Sequence, residues 1–324
     1  MADALASPQV GLAMLALGVL LLLFSAKKSA ERFDELNIPL MGVLGAFIFA
    51  GQMVNFAIPM TGSSGHISGG ILLAAMLGAY PAFIALSCVL IIQALFFADG
   101  GLLSLGCNIF NLAFFACLIA YPLIFVPIVR RLRSNFGIFL ASILSCVAAL
   151  QLGAFCVVLE TLCSGVSELG FGAFLLAMQP IHLAIGLVEG ILTGWVIALL
   201  KDARPELFDG LKRGKFCPNK RQSVLAISIA AFIIAAGLSQ VASEKPDGLE
   251  WSIAKTSASA PEAPDTMAHS ASAKIQEKTA VLPDYSLANS ESAAGTSLSG
   301  VAGGFMCVAL IFASAALIRF ARRA

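Results

Sequence analysis

Charge is scarce in this chain. Asp, Glu, Lys and Arg make up 12% of its 324 residues, about half the share of a soluble globular domain. Their net charge is only +1, which excludes the basic surface that a nucleic-acid partner requires. Histidine occurs three times, tryptophan twice and tyrosine three times. The eight cysteines form no CxxC pair, so neither a zinc knuckle nor a redox dithiol is supported. No GxxxxGK[ST] loop is present to cradle a nucleotide's phosphates. No HExxH metalloprotease helix is present, and no serine or cysteine nucleophile has a matching histidine. The sequence is therefore not read as an enzyme, and no permanently bound cofactor is expected.

Long apolar runs are what the chain has instead. Hydrophobic residues reach 59% and the mean hydropathy is +0.91. About 20 apolar residues are needed to cross the hydrocarbon core as a helix. The sequence predicts nine spans, near 8–25, 39–58, 66–79, 81–97, 106–129, 136–159, 174–200, 223–240 and 299–318. The third is short and glycine-rich, so a half-span or tilted helix shielded by protein is expected there. The first run has no basic residues before it and Lys27, Lys28 and Arg32 after it, which reads as a retained helix rather than a cleaved signal.

With the N-terminus outside, the inner loops hold three basic clusters, and Arg319, Arg322 and Arg323 follow the last span inside. The loop clusters are Lys27, Lys28 and Arg32; Arg130, Arg131 and Arg133; and the run from Lys201 to Arg221. The remaining lysines lie in the long segment 241–298, where the positive-inside rule lapses. The expected topology is N-out and C-in.

The fold class is thus an all-α polytopic membrane protein. Residues 1–200 form a seven-helix block, 201–222 a polar cytoplasmic linker, and 223–324 a two-helix hairpin. A large extracytoplasmic loop, 241–298, interrupts the hairpin. Its Ala, Ser and Pro content predicts a mostly flexible segment, with more ordered islands at Lys245–Trp251 and Leu282–Tyr285.

Polar residues inside such a block are costly and need a reason. His66 sits in the glycine-rich stretch Gly62–Gly70. It reads equally as a metal-ligating imidazole and as a cap of a short helix. His182 and Glu189 are seven residues apart and share one helix face. Both an interior polar pair and a structural bridge fit that spacing. Gln52 and Asn55, Asn108 and Asn111, with Gln93 and Asp99, place amides and an acid in the same outer half as His66. Helix glue is the default reading for these, and a metal-capture cluster is the alternative. Glu160 reads as solvated at the outer interface, and His269 as an uninvolved residue of the flexible loop.

Several stretches together resemble the CbiM/NikM family. These are the substrate-specific S components of energy-coupling-factor (ECF) transporters for cobalt and nickel. The stretches are Ile38–Gly42, Ala46–Ala50, Gln52–Phe56, Gly65-His66 with Gly69-Gly70, Gln93–Leu95, Asp99–Gly101, Asn108, and His182 with Gly186 and Glu189. Pro246-Asp247-Gly248-Leu249-Glu250 resembles the name-giving motif of the PDGLE domain, and Leu282–Tyr285 resembles its second half. That module is similar to the N component that accompanies the M component.

The resemblance implies a subunit that captures Ni2+ or Co2+ as transported substrate. It implies a membrane coupling (T) subunit and cytoplasmic ATPase (A) subunits as partners, in the bacterial inner membrane. It also implies a metal site built from His66 and the nitrogen of Met1. Gln52, Asn55, Asp99, Asn108, His182 and Glu189 are candidates for supporting or pathway residues. The family pattern has a histidine after the initial Met, whereas this chain reads Met1-Ala2-Asp3. A start two residues upstream would restore the match, and that is the expectation. A proton-coupled secondary carrier using His182 and Glu189, and a non-transporting assembly protein, are the competing readings.

Overall fold

The computed structural model describes residues 1–31, 38–59, 61–166, 169–203, 220–257, 263–286 and 293–323. The linker residues Arg204, Lys212, Arg213 and Lys215, together with Arg32 and Cys217, lie outside these.

Apolar helices dominate. They are α1 (Pro8–Glu31), α2 (Ile38–Gln52), α3 (Gly70–Leu77), α4 (Ala79–Phe96), α5 (Leu105–Leu132), α6 (Asn135–Ser164), α7 (Phe171–Ala203), α8 (Lys220–Ala236) and α11 (Ala293–Arg323). Between α8 and α11 lie two short helices, α9 (Gly248–Thr256) and α10 (Met267–Thr279). Six of the described helices are long and apolar enough to cross a membrane, so the chain is a multi-pass membrane protein. α2 and the described apolar part of α8 are shorter. Leu12, Leu20, Leu123, Leu176 and Trp195 point outward, as the lipid-facing sides of spans do. One two-residue antiparallel pair, β1 (Phe56–Ala57) and β2 (Ser64–Gly65), departs from the all-helical expectation.

The third predicted span holds only an eight-residue helix. At 1.5 Å per residue α3 is about 12 Å long, well short of the ~30 Å core. Gly69 and Gly78 bound it at φ +75° and +86°, conformations open to glycine at little cost. At Gly78 the chain folds back, and Gly70 approaches Leu86 of α4. The irregular stretch before α3 is shielded, with Ser63, Ser64 and Ser68 buried, as non-helical backbone at membrane depth must be.

Small residues set the helix spacing. Gly186, Gly190 and Gly194 repeat every fourth position along α7, and they meet Val147, Ile143 and Phe139, spaced by four along α6 in the opposite direction. Such small-residue stripes let backbones close in where lipid gives no hydrophobic drive between helices. Gly42 and Gly45 of α2 lie against Phe312 and Ile311 of α11, and Gly303 lies against Phe49. The C-terminal hairpin is therefore seated on α2.

At Gly106 a Cβ would run into the backbone of Leu15 in α1. Gly106→Ala is expected to lower stability by about 2 kcal/mol, since overpacking a fixed contact costs 1–3. A thermal melt in detergent checks this.

α9 begins in the island Lys245–Trp251 expected to be more ordered, whereas α10 falls in the part read as flexible. Local caps start them. Asp247 accepts from Leu249 N and Glu250 N at 2.8 Å each, and the Glu250 carboxylate accepts from Asp247 N at 3.2 Å. This is a capping box. Thr266 caps α10 through His269 N at 3.3 Å.

Candidate metal-capture pocket

A cavity of about 120 Å³ opens where the N-terminal segment, the His66 loop, α5, α6, α7 and the start of α9 converge. A water occupies about 30 Å³ of liquid, and organic ligands take pockets of ~300 Å³ or more. The space suits an ion with a few small ligands.

The N-terminal turn, Asp3–Leu5, is folded into the protein, with Leu5 and Ala6 fully buried. Asn108 of α5 holds residue 1 from both sides. Its Oδ1 accepts from the Met1 nitrogen at 2.6 Å, and its Nδ2 donates to the Met1 carbonyl at 3.1 Å. Ser104 Oγ also donates to that carbonyl, at 2.7 Å. Ser104 N donates to Asp3 Oδ1 at 2.9 Å. A Cβ on Gly101 would collide with the Asp3 carboxylate, so only glycine leaves room for this turn.

His66 lines the cavity directly after β2. Its Nδ1 lies 3.0 Å from the Ile67 carbonyl. A carbonyl only accepts, so Nδ1 carries a proton, and in the neutral tautomer Nε2 is the acceptor. His182 of α7 also lines the cavity. Its Nδ1 donates to the Met178 carbonyl at 2.8 Å, which likewise leaves Nε2 as the acceptor. Fixing one ring nitrogen in this way orients an imidazole for a metal.

Glu189 does a different job. It is 1% exposed, and its carboxylate accepts from Ser68 N at 2.8 Å, Ser68 Oγ at 2.8 Å and Gly69 N at 2.9 Å. It pins the loop that presents His66. His182 and Glu189 share a face of α7, but their hydrogen bonds run to different partners.

The other sequence candidates divide. Asn108 and Asn111 line the cavity. Gln52, Asn55 and Asp99 do not. Gln52 Nε2 donates to the Ser68 carbonyl at 2.9 Å, and its Oε1 accepts from Gln93 Nε2 at 2.9 Å. That chain ties α2 and α4 to the loop. Asn55 accepts Ser243 N at its own carbonyl, 2.8 Å. Asp99 accepts from the Tyr285 hydroxyl. Burial and the Asp99 carboxylate hold that phenol well above its usual range, so it stays a donor.

Glu160 is buried rather than solvated, because α6 turns it toward α5, where Asn111 Nδ2 donates to it at 2.7 Å. His269, read as uninvolved, is buried against the N-terminal turn.

Sequence reasoning left the role of Asp247 open, between attracting metal and folding the loop against the membrane block. Asp247, Gly248 and Leu249 of the C-terminal part line the same cavity. Ser64 Oγ donates to the Lys245 carbonyl at 2.7 Å, and Trp251 Nε1 donates to the Thr61 carbonyl at 2.9 Å. The pattern Asp247-x-x-Glu250 announces a helix start, but nothing local says where that helix docks. Asp247→Ala is expected to cost about 1 kcal/mol through the lost cap. Amide exchange across α9, faster in the variant than in the parent, checks this.

Among the described residues, no group of three His, Cys, Asp or Glu side chains is placed to hold a metal ion. Metal capture here would draw on imidazole Nε2 atoms together with the nitrogen of residue 1 and amide oxygens. Imidazole suits nickel and other transition metals, whereas magnesium and calcium take oxygen ligands.

Comparison with known proteins identifies the family. The family described as "Cobalt uptake substrate-specific transmembrane region" (CbiM) matches residues 1–207, and the PDGLE domain matches 221–320. A putative fused nickel transport protein NikMN of Archaeoglobus fulgidus is 33% identical over 285 residues, covering 88% of this chain and 87% of that protein. The fused nickel transport protein NikMN of Rhodobacter capsulatus is 30% identical, covering 93% and 92%. A crystal structure of a truncated transition metal transporter is 32% identical with a TM-score of 0.55, covering 63% of this chain and 98% of that one. The chain belongs to the CbiM family, as a substrate-specific, non-enzymatic membrane component of cobalt or nickel uptake fused to a C-terminal PDGLE domain.

Proposed function

We propose that this chain is the metal-capture permease subunit of an ATP-driven ECF importer in the bacterial plasma membrane. In this reading a seven-helix S component carries the two-helix PDGLE hairpin, N-terminus outside and C-terminus inside. Metal enters from the outer side and binds at His66 and the nitrogen of residue 1. Asn108 holds the N-terminal segment, Glu189 holds the His66 loop, and His182 faces the ion. A separate T subunit and cytoplasmic ATPase subunits drive its release inward.

The observation that carries this reading is that an Nε2-accepting His66 and the N-terminal segment meet in one ion-sized cavity. Nickel is favoured over cobalt because the two relatives cited above that cover both domains are named for nickel. Both oxygens of Glu189 are engaged by three donors, so it is a structural anchor rather than half of a proton relay.

The test is nickel uptake in cells lacking their own nickel importers. Uptake that needs this chain, the T subunit and an intact ATPase supports the reading. Uptake that persists without the ATPase overturns it in favour of a proton-coupled carrier.

A further inference from the structure

One face of α10 grips the N-terminal turn. His269, Ser272 and Gln276 recur at helical spacing along it. His269 is 5% exposed. Its Nε2 lies 3.2 Å from the Asp3 carbonyl and 3.0 Å from the Ala6 carbonyl. Both partners only accept, so Nε2 carries the proton and shares it between them. Nδ1 is then the acceptor, and the Thr266 hydroxyl donates to it at 2.7 Å.

Ser272 Oγ donates to Asp3 Oδ2 at 2.5 Å, while Asp3 Oδ1 takes Ser104 N from the other side. Gln276 Nε2 donates to the Ala94 and Gly100 carbonyls at 2.9 and 2.8 Å. Gly101 N in turn donates to the Met1 carbonyl at 3.2 Å. These bonds end on residues 3–6, on the last turn of α4 at Ala94 and on Gly100 of the α4–α5 connection that cradles residue 1. None reaches the cavity, which His269 does not line.

We infer that His269 is a positioning residue through which the PDGLE domain clasps residues 3–6 and pre-orders the N-terminal segment for metal capture. This rests on the reading that the cavity beside His66 binds the ion. The physical reason is entropic. A free N-terminal segment must be ordered when metal binds, and a clasp made beforehand removes that cost from the binding step. Fusion of the two domains in one chain makes the clasp intramolecular, so its effective concentration is set by the connection rather than by dilution.

The test uses the full chain in detergent. Nickel affinity is measured by competition with a metal indicator, and amide exchange of residues 1–6 by mass spectrometry. His269→Ala is expected to weaken nickel binding about tenfold, in the range of a lost supporting partner, and to speed exchange in residues 1–6. His269→Gln keeps a side-chain N–H within reach of the same carbonyls and is expected to recover most of the affinity. Ser272→Ala removes one bond and is expected to weaken binding about threefold, which keeps the test open if His269→Ala does not fold.

Unchanged affinity in both alanine variants would overturn the inference, even if their melting temperatures fall, because that pattern marks a merely structural role. His66→Ala runs alongside. If it binds nickel normally, the pocket reading itself has failed. If it loses nickel while the His269 and Ser272 variants keep it, only the clasp has failed.

Discussion

His66→Ala is expected to strip the protein of its transition metal while leaving the fold intact. His66 is half-buried, and its ring makes one local hydrogen bond, to its neighbour's carbonyl. Removing it opens little cavity and orphans no distant partner, so stability should shift by less than about 1 kcal/mol. It lines the small cavity that Met1, Asn108 and Asn111 also line. Supporting residues around metals cost 10–100-fold when lost, so a direct ligand should cost about 100-fold or more in affinity. Metal retained through purification, counted by elemental mass spectrometry beside a melting curve, separates the two effects. Retained metal with a lowered melting temperature would assign His66 a structural role.

Glu189→Ala is expected to produce the largest loss of stability in the membrane block. Its carboxylate is the common acceptor for Ser68 N, Ser68 Oγ and Gly69 N. Each buried donor left without a partner costs about 1–3 kcal/mol, and bonds inside membrane proteins fall at the low end. A total of about 3 kcal/mol follows. The damage also spreads to function. Gly69 sits at φ +75° and starts α3, and Ser68 lies two residues from His66. Releasing the loop should weaken metal binding about tenfold at temperatures where the protein stays folded. Glu189→Gln keeps one acceptor oxygen but turns an NH2 toward a backbone N–H, so it should recover only part of the loss. Thermal melts of the three proteins, followed by metal titration, check the order: parent, Gln, Ala.

The helices that position this site were legible because each needs about 20 apolar residues, and no long-range information enters that requirement. His66 in its glycine-rich stretch was legible for a similar reason, since a costly imidazole beside glycines has few explanations. Glu189 was placed on a shared face of α7 with His182, and its partner was left open. Helical spacing says which residues share a side, and says nothing about the loop 120 residues away that meets it.

The stretch 254–280 marks where composition misleads, whereas the islands 245–251 and 282–285 were read as more ordered. Its Ala, Ser and Pro content resembles that of a free linker. Its order comes from the Thr266 cap and from docking by His269 and Gln276 onto distant backbone and by Ser272 onto the Asp3 carboxylate. Propensity is silent about such contacts. Glu160 was misplaced for the same reason, because its burial depends on where α5 presents Asn111.

Metal content tests the central claim most directly. The full chain is purified from cells grown with equal nickel and cobalt, and both ions are counted per protein, for the sequence as it stands and for a form extended upstream by Met-His. The account predicts about one ion per chain in at least one form, chiefly nickel, and its loss in His66→Ala. No bound nickel or cobalt in either form, or an ion that His66→Ala retains, would contradict it.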